Sequence, residues 1–228
     1  GQAIWTFDPQ SYQAGRPPNH GFVHRGVAYW EKDNDKRIFV GTLDSFLYSI
    51  DACTGEVDLN FNNGGKVNLL EGLGRAINND HYGVNSPPLV CKDTVVVGSS
   101  VMDYPAQYLN ATSMAPGDVR AYDAITGQLK WQFHVIPHEG EFGADTWENT
   151  SYLEGAGVNV WSTFSCDEEL GMVYLPLTTP TNDHFGGDRL GDNLFAESVI
   201  ALDIETGDRK WHFQTVHHGL WDYDLPAA

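Results

Sequence analysis

Residues 121–131 and 201–211 share the pattern Ala-x-Asp-x-x-Thr-Gly-x-x-Lys-Trp. A reduced copy at 49–58 keeps Asp51, Thr54 and Gly55 but ends without the Trp, and the opening from Gly1 to Trp5 has the tail of a fourth. A repeat of this kind requires one supersecondary unit used several times, each copy burying its apolar face against its neighbours. Within each copy the carboxylate of Asp51, Asp123 or Asp203 can accept backbone N–H groups across a tight turn, whose Gly takes a positive φ. An apolar stretch precedes each copy, at 36–41, 93–98 and 171–176. The unit is therefore several short antiparallel strands.

The three Asp residues stand 72 and 80 residues apart. That exceeds the roughly 40–50 residues of a minimal four-stranded propeller blade, so each blade carries inserted loops. The loops are expected at 63–82, 104–117, 137–155 and 181–193, rich in Gly, Asn, Asp and Pro, and function is expected to sit on them. The expected fold class is all-β, a β-propeller of four-stranded antiparallel blades with about three to four blades' worth of chain. A closed ring takes roughly four to eight blades. The expectation is thus a single partial propeller domain over 1–228, incomplete at both ends, with the remainder of the propeller as a partner. The opening Gly1, with no initiator Met and no leader-like segment, suggests an excised or processed chain.

Composition narrows the function classes. At 41% hydrophobic and 19% charged the chain is globular, and its 31 acidic against 13 basic side chains give a formal net charge of −18. That charge removes the attraction on which nucleic-acid and anionic-membrane binding depend. No run approaches the roughly 18 apolar residues of a membrane span. Cys53, Cys91 and Cys166 are odd in number and widely spaced, which favours three buried thiols over a zinc site or a disulfide framework.

The repeat resembles the tryptophan-docking motif of the quinoprotein alcohol and glucose dehydrogenases, eight-bladed propellers that bind pyrroloquinoline quinone (PQQ) and a divalent metal. The resemblance runs the length of the chain through 24–30, 98–103, 159–161 and 216–226, and the last segment most resembles the membrane-type glucose and quinate dehydrogenase branch. It implies that Arg25 contacts a PQQ carboxylate, a task its forked guanidinium suits; the alternative is a surface salt bridge. Asn19-His20 stands where alcohol-dehydrogenase members carry adjacent cysteines, so His20 is implied on the upper face of PQQ, with His24 competing and an exposed loop histidine the plain alternative. Trp161 lies outside the docking repeat and matches the Trp on which the quinone stacks.

By the same resemblance Asp103 and Thr179 ligate the metal, Ca²⁺ or Mg²⁺, for which oxygen ligands are apt. Asn85, Ser100, Val101 and Met102 are implied to line the quinone. Asp222 matches the base that takes the hydroxyl proton while hydride passes to the C5 carbonyl of PQQ, with Asp224 the alternative. His217 and His218 either shape the pocket or lie on the surface. A further cofactor-binding carboxylate and a basic side chain belong to the family pattern before Gly1 and beyond Ala228.

The implied activity is oxidation of an alcohol or sugar hydroxyl, of an aldose such as glucose, a polyol or a quinate-like substrate. Electrons would pass to membrane ubiquinone or cytochrome c, in the periplasm. Two other readings remain: a noncatalytic scaffold of PQQ-like repeats in outer-membrane protein assembly, and a sugar-binding propeller without redox chemistry. An inactive fragment is a third outcome.

Overall fold

The structure is a computed structural model that describes residues 1–228 except Pro18, His20, 103–113 and 227–228. Three four-stranded antiparallel sheets make up the frame. The first is β1 (Ala28–Lys32), β2 (Asp35–Gly41), β3 (Phe46–Asp51) and β4 (Lys66–Asn68), paired in that order. A two-residue ladder of β5 (Tyr82–Gly83) with β8 (Ser100–Val101) flanks the second sheet, whose order is β6 (Leu89–Cys91), β7 (Thr94–Val97), β9 (Val119–Asp123) and β10 (Leu129–Phe133). The third is β11 (Ser165–Asp167), β12 (Met172–Pro176), β13 (Ser198–Asp203) and β14 (Arg209–Gln214). No α-helix occurs among the described residues, and none of their helices is long and apolar enough to cross a membrane. The three apolar stretches read from sequence are β2, β7 and β12, so the blades of a β-propeller are in place.

The middle sheet explains why its strands read as continuous apolar runs. All four residues of β7 are buried, and their period-two alternation sends Val95 and Val97 into the core shared with the first sheet. Val96 enters the core shared with the third sheet, along with Val119, Ala121, Leu175 and Ile200. A strand clamped between two neighbours has no solvent face to mark with polar residues.

The repeated turns form as the sequence requires. Asp51 Oδ1 accepts the N–H groups of Cys53 (2.8 Å) and Thr54 (2.7 Å), and Asp123 Oδ1 accepts those of Ile125 (3.1 Å) and Thr126 (2.7 Å). Asp203 Oδ1 repeats the pattern with Glu205 (2.9 Å) and Thr206 (3.1 Å). The following glycines have φ of 76°, 70° and 75°, which a side chain would strain. The bare glycine also leaves room for a ring: a Cβ on Gly207 would lie 2.7 Å from the indole of Trp131. The Trp131 Nε1–H donates to Ile204 O at 2.9 Å, so the second blade docks on the turn of the third.

Trp5 docks in the same manner on the first turn, donating to Ala52 O at 3.1 Å and lying against Gly55. The second turn receives no Trp, because the copy at 49–58 lacks one. Asn62 substitutes, donating from its backbone to Thr126 O (2.9 Å) and from Nδ2 to Gly127 O (2.8 Å), with Phe61 alongside Gly127.

One expectation is overturned. Cys91 and Cys166 form a disulfide across 75 residues of sequence, and Cys53 is an exposed free thiol, so the three are not buried thiols. Sequence spacing misled because β6 and β11 belong to adjacent blades and pack together. In the loop-entropy picture such a bridge contributes about 4 kcal/mol by restricting the unfolded chain.

Blade docking yields a test. Replacing Trp131 by Ala removes a buried indole and its hydrogen bond, and is expected to lower unfolding free energy by about 3–5 kcal/mol in urea denaturation. Leu59→Ala, at a side chain 73% exposed, is expected to change it by less than about 0.5 kcal/mol.

Candidate active site

The segment 157–161 runs just before β11 and crosses the ends of strands in two blades. Val158 and Val160 are fully buried in the core, so Asn159 and Trp161, in antiphase with them, face a cleft of about 300 Å³. The crossing is tight. A Cβ on Gly98 would lie 2.2 Å from Val160 O and one on Gly117 would lie 1.9 Å from Val158 O. Both positions therefore demand glycine. Backbone bonds fix the crossing on either side, from Ser99 N–H to Val160 O (3.0 Å) and from Thr178 N–H to Asn159 O (3.2 Å).

Ser100, Trp161, Thr179, Asp222 and Asp224 come together around this cleft. Asp224 ties three segments to one another. Its Oδ2 accepts the Trp161 Nε1–H at 2.7 Å and its Oδ1 accepts the Thr179 backbone N–H at 2.8 Å. Burial pushes its pKa above the ordinary carboxylate value, with these two donors acting against the rise and the charge of Asp222 adding to it. Asp222 is exposed on the cleft, on left-handed backbone at φ 55°, a conformation that costs strain outside glycine and collects at functional positions.

A second carboxylate lies beneath. Glu197 is fully buried, and the Thr179 hydroxyl donates to its Oε1 at 3.1 Å. Because the hydroxyl proton points to Glu197, the Thr179 oxygen keeps its lone pairs for another partner. Burial raises the Glu197 pKa, while the Thr179 hydroxyl, the Tyr223 N–H and the charge of Arg189 oppose it. Its Oε2 has no hydrogen-bond partner, and a Cβ on Gly219 would collide with it. Glu197 thus links the Thr179 strand end to the loop that carries Asp222.

The remaining expected residues divide. The Arg25 guanidinium lies 4.6 Å from the centre of the Trp161 ring, its Nη1 is buried without a hydrogen-bond partner, and burial lowers its pKa. Its backbone N–H donates to Asn85 O at 3.0 Å; Asn85 is buried beside it, with Oδ1 unpartnered. Val101 points away from the cleft into the core, as strand alternation after Ser100 dictates. Met102 is half-buried, and its N–H donates to His81 O at 3.0 Å. His20 and Asp103 lie outside the described residues.

His24 serves backbone, accepting the Gly26 N–H on Nδ1 (3.2 Å) and thus donating from Nε2 to Gly41 O (2.7 Å). His218 bonds Gly191 O at 2.8 Å and His217 is exposed. Neither lines the cleft. Asn159 and Glu197 were missed as site residues. For Glu197 a signal existed, the one charged residue in the run 194–200, which is otherwise apolar but for Ser198.

The raised pKa of Glu197 has a consequence for stability. A carboxyl that binds its proton more tightly folded than unfolded favours the fold below its unfolded pKa of about 4.3 and loses that contribution as pH rises through the folded value. Glu197→Gln removes the effect. Its stability relative to the parent protein is expected to improve between pH 4 and pH 8 in urea denaturation, and a pH-independent difference would refute the shift.

Known proteins resemble the chain along its whole length. Residues 1–228 match the family described as PQQ, glucose/ethanol/alcohol dehydrogenase, β-propeller domain. The chain is 36% identical over 192 residues to a quinate/shikimate dehydrogenase (quinone) of Acinetobacter baylyi, covering 84% of this chain and 23% of that protein. It is 35% identical over 236 residues to a glycerol dehydrogenase large subunit of Gluconobacter oxydans, covering 99% of this chain and 30% of that one. Among solved structures, the quinohemoprotein alcohol dehydrogenase of Comamonas testosteroni superposes with a TM-score of 0.77 at 29% identity, over 98% of this chain and 32% of its own. The chain therefore spans about a quarter to a third of the length of these relatives. It belongs to the β-propeller family of the PQQ-dependent glucose, ethanol and alcohol dehydrogenases.

Proposed function

We propose that these residues form one sector of the active site of a dehydrogenase that oxidises a hydroxyl-bearing carbon of a sugar, polyol or cyclic hydroxy acid to the carbonyl. The observation that carries the reading is the convergence of Trp161, Thr179 and Asp222, from three separate segments, on one cleft. The cleft suits PQQ and a divalent cation. A planar tricarboxylate needs an aromatic face and a cationic partner, and the indole and the unpartnered Nη1 of Arg25 supply both. A hard cation needs oxygen ligands in a negative setting, and Asp183, Asp222 and Asp224 make the cleft acidic.

Bound PQQ supplies an electrophilic carbonyl that takes up hydride, with Ca²⁺ or Mg²⁺ as Lewis acid. The protein's own residues do the rest. Asp224 holds the Trp161 indole in place, so that one of its faces can receive a flat ring. Arg25 covers one face of that indole, so a planar ligand takes the other face or displaces the guanidinium to the ring edge. Glu197 orients the Thr179 hydroxyl so that its oxygen lone pairs are available to the cation, as outer partners orient metal ligands. Asp103 is proposed as the carboxylate ligand beside it, and Asp222 as the group that accepts the substrate hydroxyl proton.

His20, Asn85, Ser100, Val101 and Met102 remain proposed contacts of the quinone, Val101 through its backbone, since its side chain lies in the core. The proposed electron acceptor is membrane ubiquinone or cytochrome c, and the proposed location the periplasm, where the Cys91–Cys166 disulfide would persist. We also propose that 1–228 constitute part of a single propeller domain.

Titration of the purified protein with PQQ in the presence of Ca²⁺ or Mg²⁺ tests this reading through quinone absorbance and tryptophan fluorescence. Metal-dependent binding is expected, weakened about 10-fold in Trp161→Ala by loss of the stacking surface. Asp222→Asn is expected to keep PQQ binding while kcat falls about 10²–10⁴-fold. A folded protein that does not bind PQQ, or an Asp222→Asn variant with full turnover, would sink the proposal.

A further inference from the structure

The edge strand β10 ends at Phe133, and the chain then turns through Pro137 into the insertion that follows it. At that turn His134, His138 and Glu141 each offer one ligand-type atom, and these atoms all lie within 4.8 Å of one another. The arrangement is braced by backbone. The His138 N–H donates to Glu141 Oε2 at 2.8 Å and the Glu141 N–H to His138 O at 2.9 Å. His134 Nδ1 lies 2.9 and 3.1 Å from the two Glu141 oxygens, and the two imidazoles stack at 3.7 Å with planes 18° apart.

A fourth group stands behind them. Asp118 is 3% exposed, held by Gln132 Nε2 at 2.8 Å and by the Val135 N–H at 3.3 Å. Its Oδ2 lies 4.0 Å from His134 Nε2. Two imidazoles and the Glu141 carboxylate thus stand together, with a second carboxylate, Asp118, behind one of the rings.

We propose that His134, His138 and Glu141 bind a divalent transition-metal ion of the Zn²⁺ type, separate from the dehydrogenase cleft. Two imidazoles and one carboxylate are the donor set of borderline ions such as Zn²⁺, not of Ca²⁺ or Mg²⁺, which take oxygen ligands. His134 ligates through Nδ1 and presents Nε2–H to Asp118, directly or through a water, the buried carboxylate thereby fixing tautomer and ring orientation. The exposed His138 ring tilts out of the stack to aim its lone pair, and water completes the tetrahedron. The ion ties the start of the 137–155 insertion to the end of β10, one residue pair beyond the docked Trp131.

Isothermal titration of the full chain with Zn²⁺, with Ca²⁺ held at saturating concentration, tests the site. One Zn²⁺ per chain is expected, with affinity lost at least 100-fold in the double variant His134→Ala/His138→Ala. Asp118→Asn is expected to weaken binding about 10–100-fold, as loss of a partner behind a ligating histidine does. Co²⁺ in place of Zn²⁺ is expected to give the visible absorption of a tetrahedral site, absent from the single variant His138→Ala, whose exposed side chain can be removed without unfolding the chain. Equal Zn²⁺ affinity in His138→Ala and the parent, or no binding tighter than millimolar by the folded parent, would overturn the proposal.

Discussion

Everything in this chain depends on how one blade meets the next, and the contact that sets this is an indole laid on a glycine. The Asp carboxylate closes the turn by collecting two backbone N–H groups, which holds the Thr-Gly peptide flat and the glycine in left-handed backbone. The flat peptide then accepts the Trp of the preceding blade at van der Waals distance, as Trp131 does on Gly207 and Trp5 on Gly55. The middle junction shows which part is essential. With no Trp at 49–58, Asn62 and Phe61 occupy the same platform, so the turn geometry is kept while its occupant changes.

Docking fixes the relative position of strand ends, and the cleft is built from those ends. Trp161 and Thr179 lie on adjacent chain segments, and Asp222 and Asp224 arrive from the loop after β14. Two carboxylates, Asp224 and Glu197, hold these pieces together by accepting one indole, one hydroxyl and two backbone N–H groups between them. Both are pushed up in pKa by burial, so the protein gives up some stability at neutral pH to keep them there. That compromise, with the left-handed backbone at Glu197 and Asp222, is what a site maintained against the interest of the fold looks like.

The repeat was legible in sequence because its physics is local: an Asp, a Thr-Gly and a Trp within eleven residues encode a turn and its contact. Trp161 could be separated from the docking Trp residues for the same reason, since it has no Asp-Thr-Gly before it. Long-range pairings were not legible. Cys91 and Cys166 looked unrelated until β6 and β11 were neighbours, and nothing local in the sequence pairs Glu197 with Thr179, 18 residues away. Val101 marks the limit of reading a motif residue by residue: it follows Ser100 in the same short stretch, yet the strand turns its side chain to the opposite face.

The arginines show how charge is distributed in so acidic a chain. Arg37 donates to the carbonyls of Ala124 and Ile125 and pairs with Asp35 and Asp58, and Arg120 reaches the carbonyls of Leu69 and Glu71 and the Tyr82 hydroxyl. Arg189 does the same for Asn182 and Gly219. Each of these guanidinium groups satisfies carbonyls that no sheet ladder reaches, which is a structural task and explains why they are buried. Arg25 does none of this. Its guanidinium rests on the Trp161 indole, and among the described residues its buried Nη1 meets no hydrogen-bond acceptor. A buried donor without a partner costs stability, and the anionic cofactor proposed for the cleft would supply the acceptor.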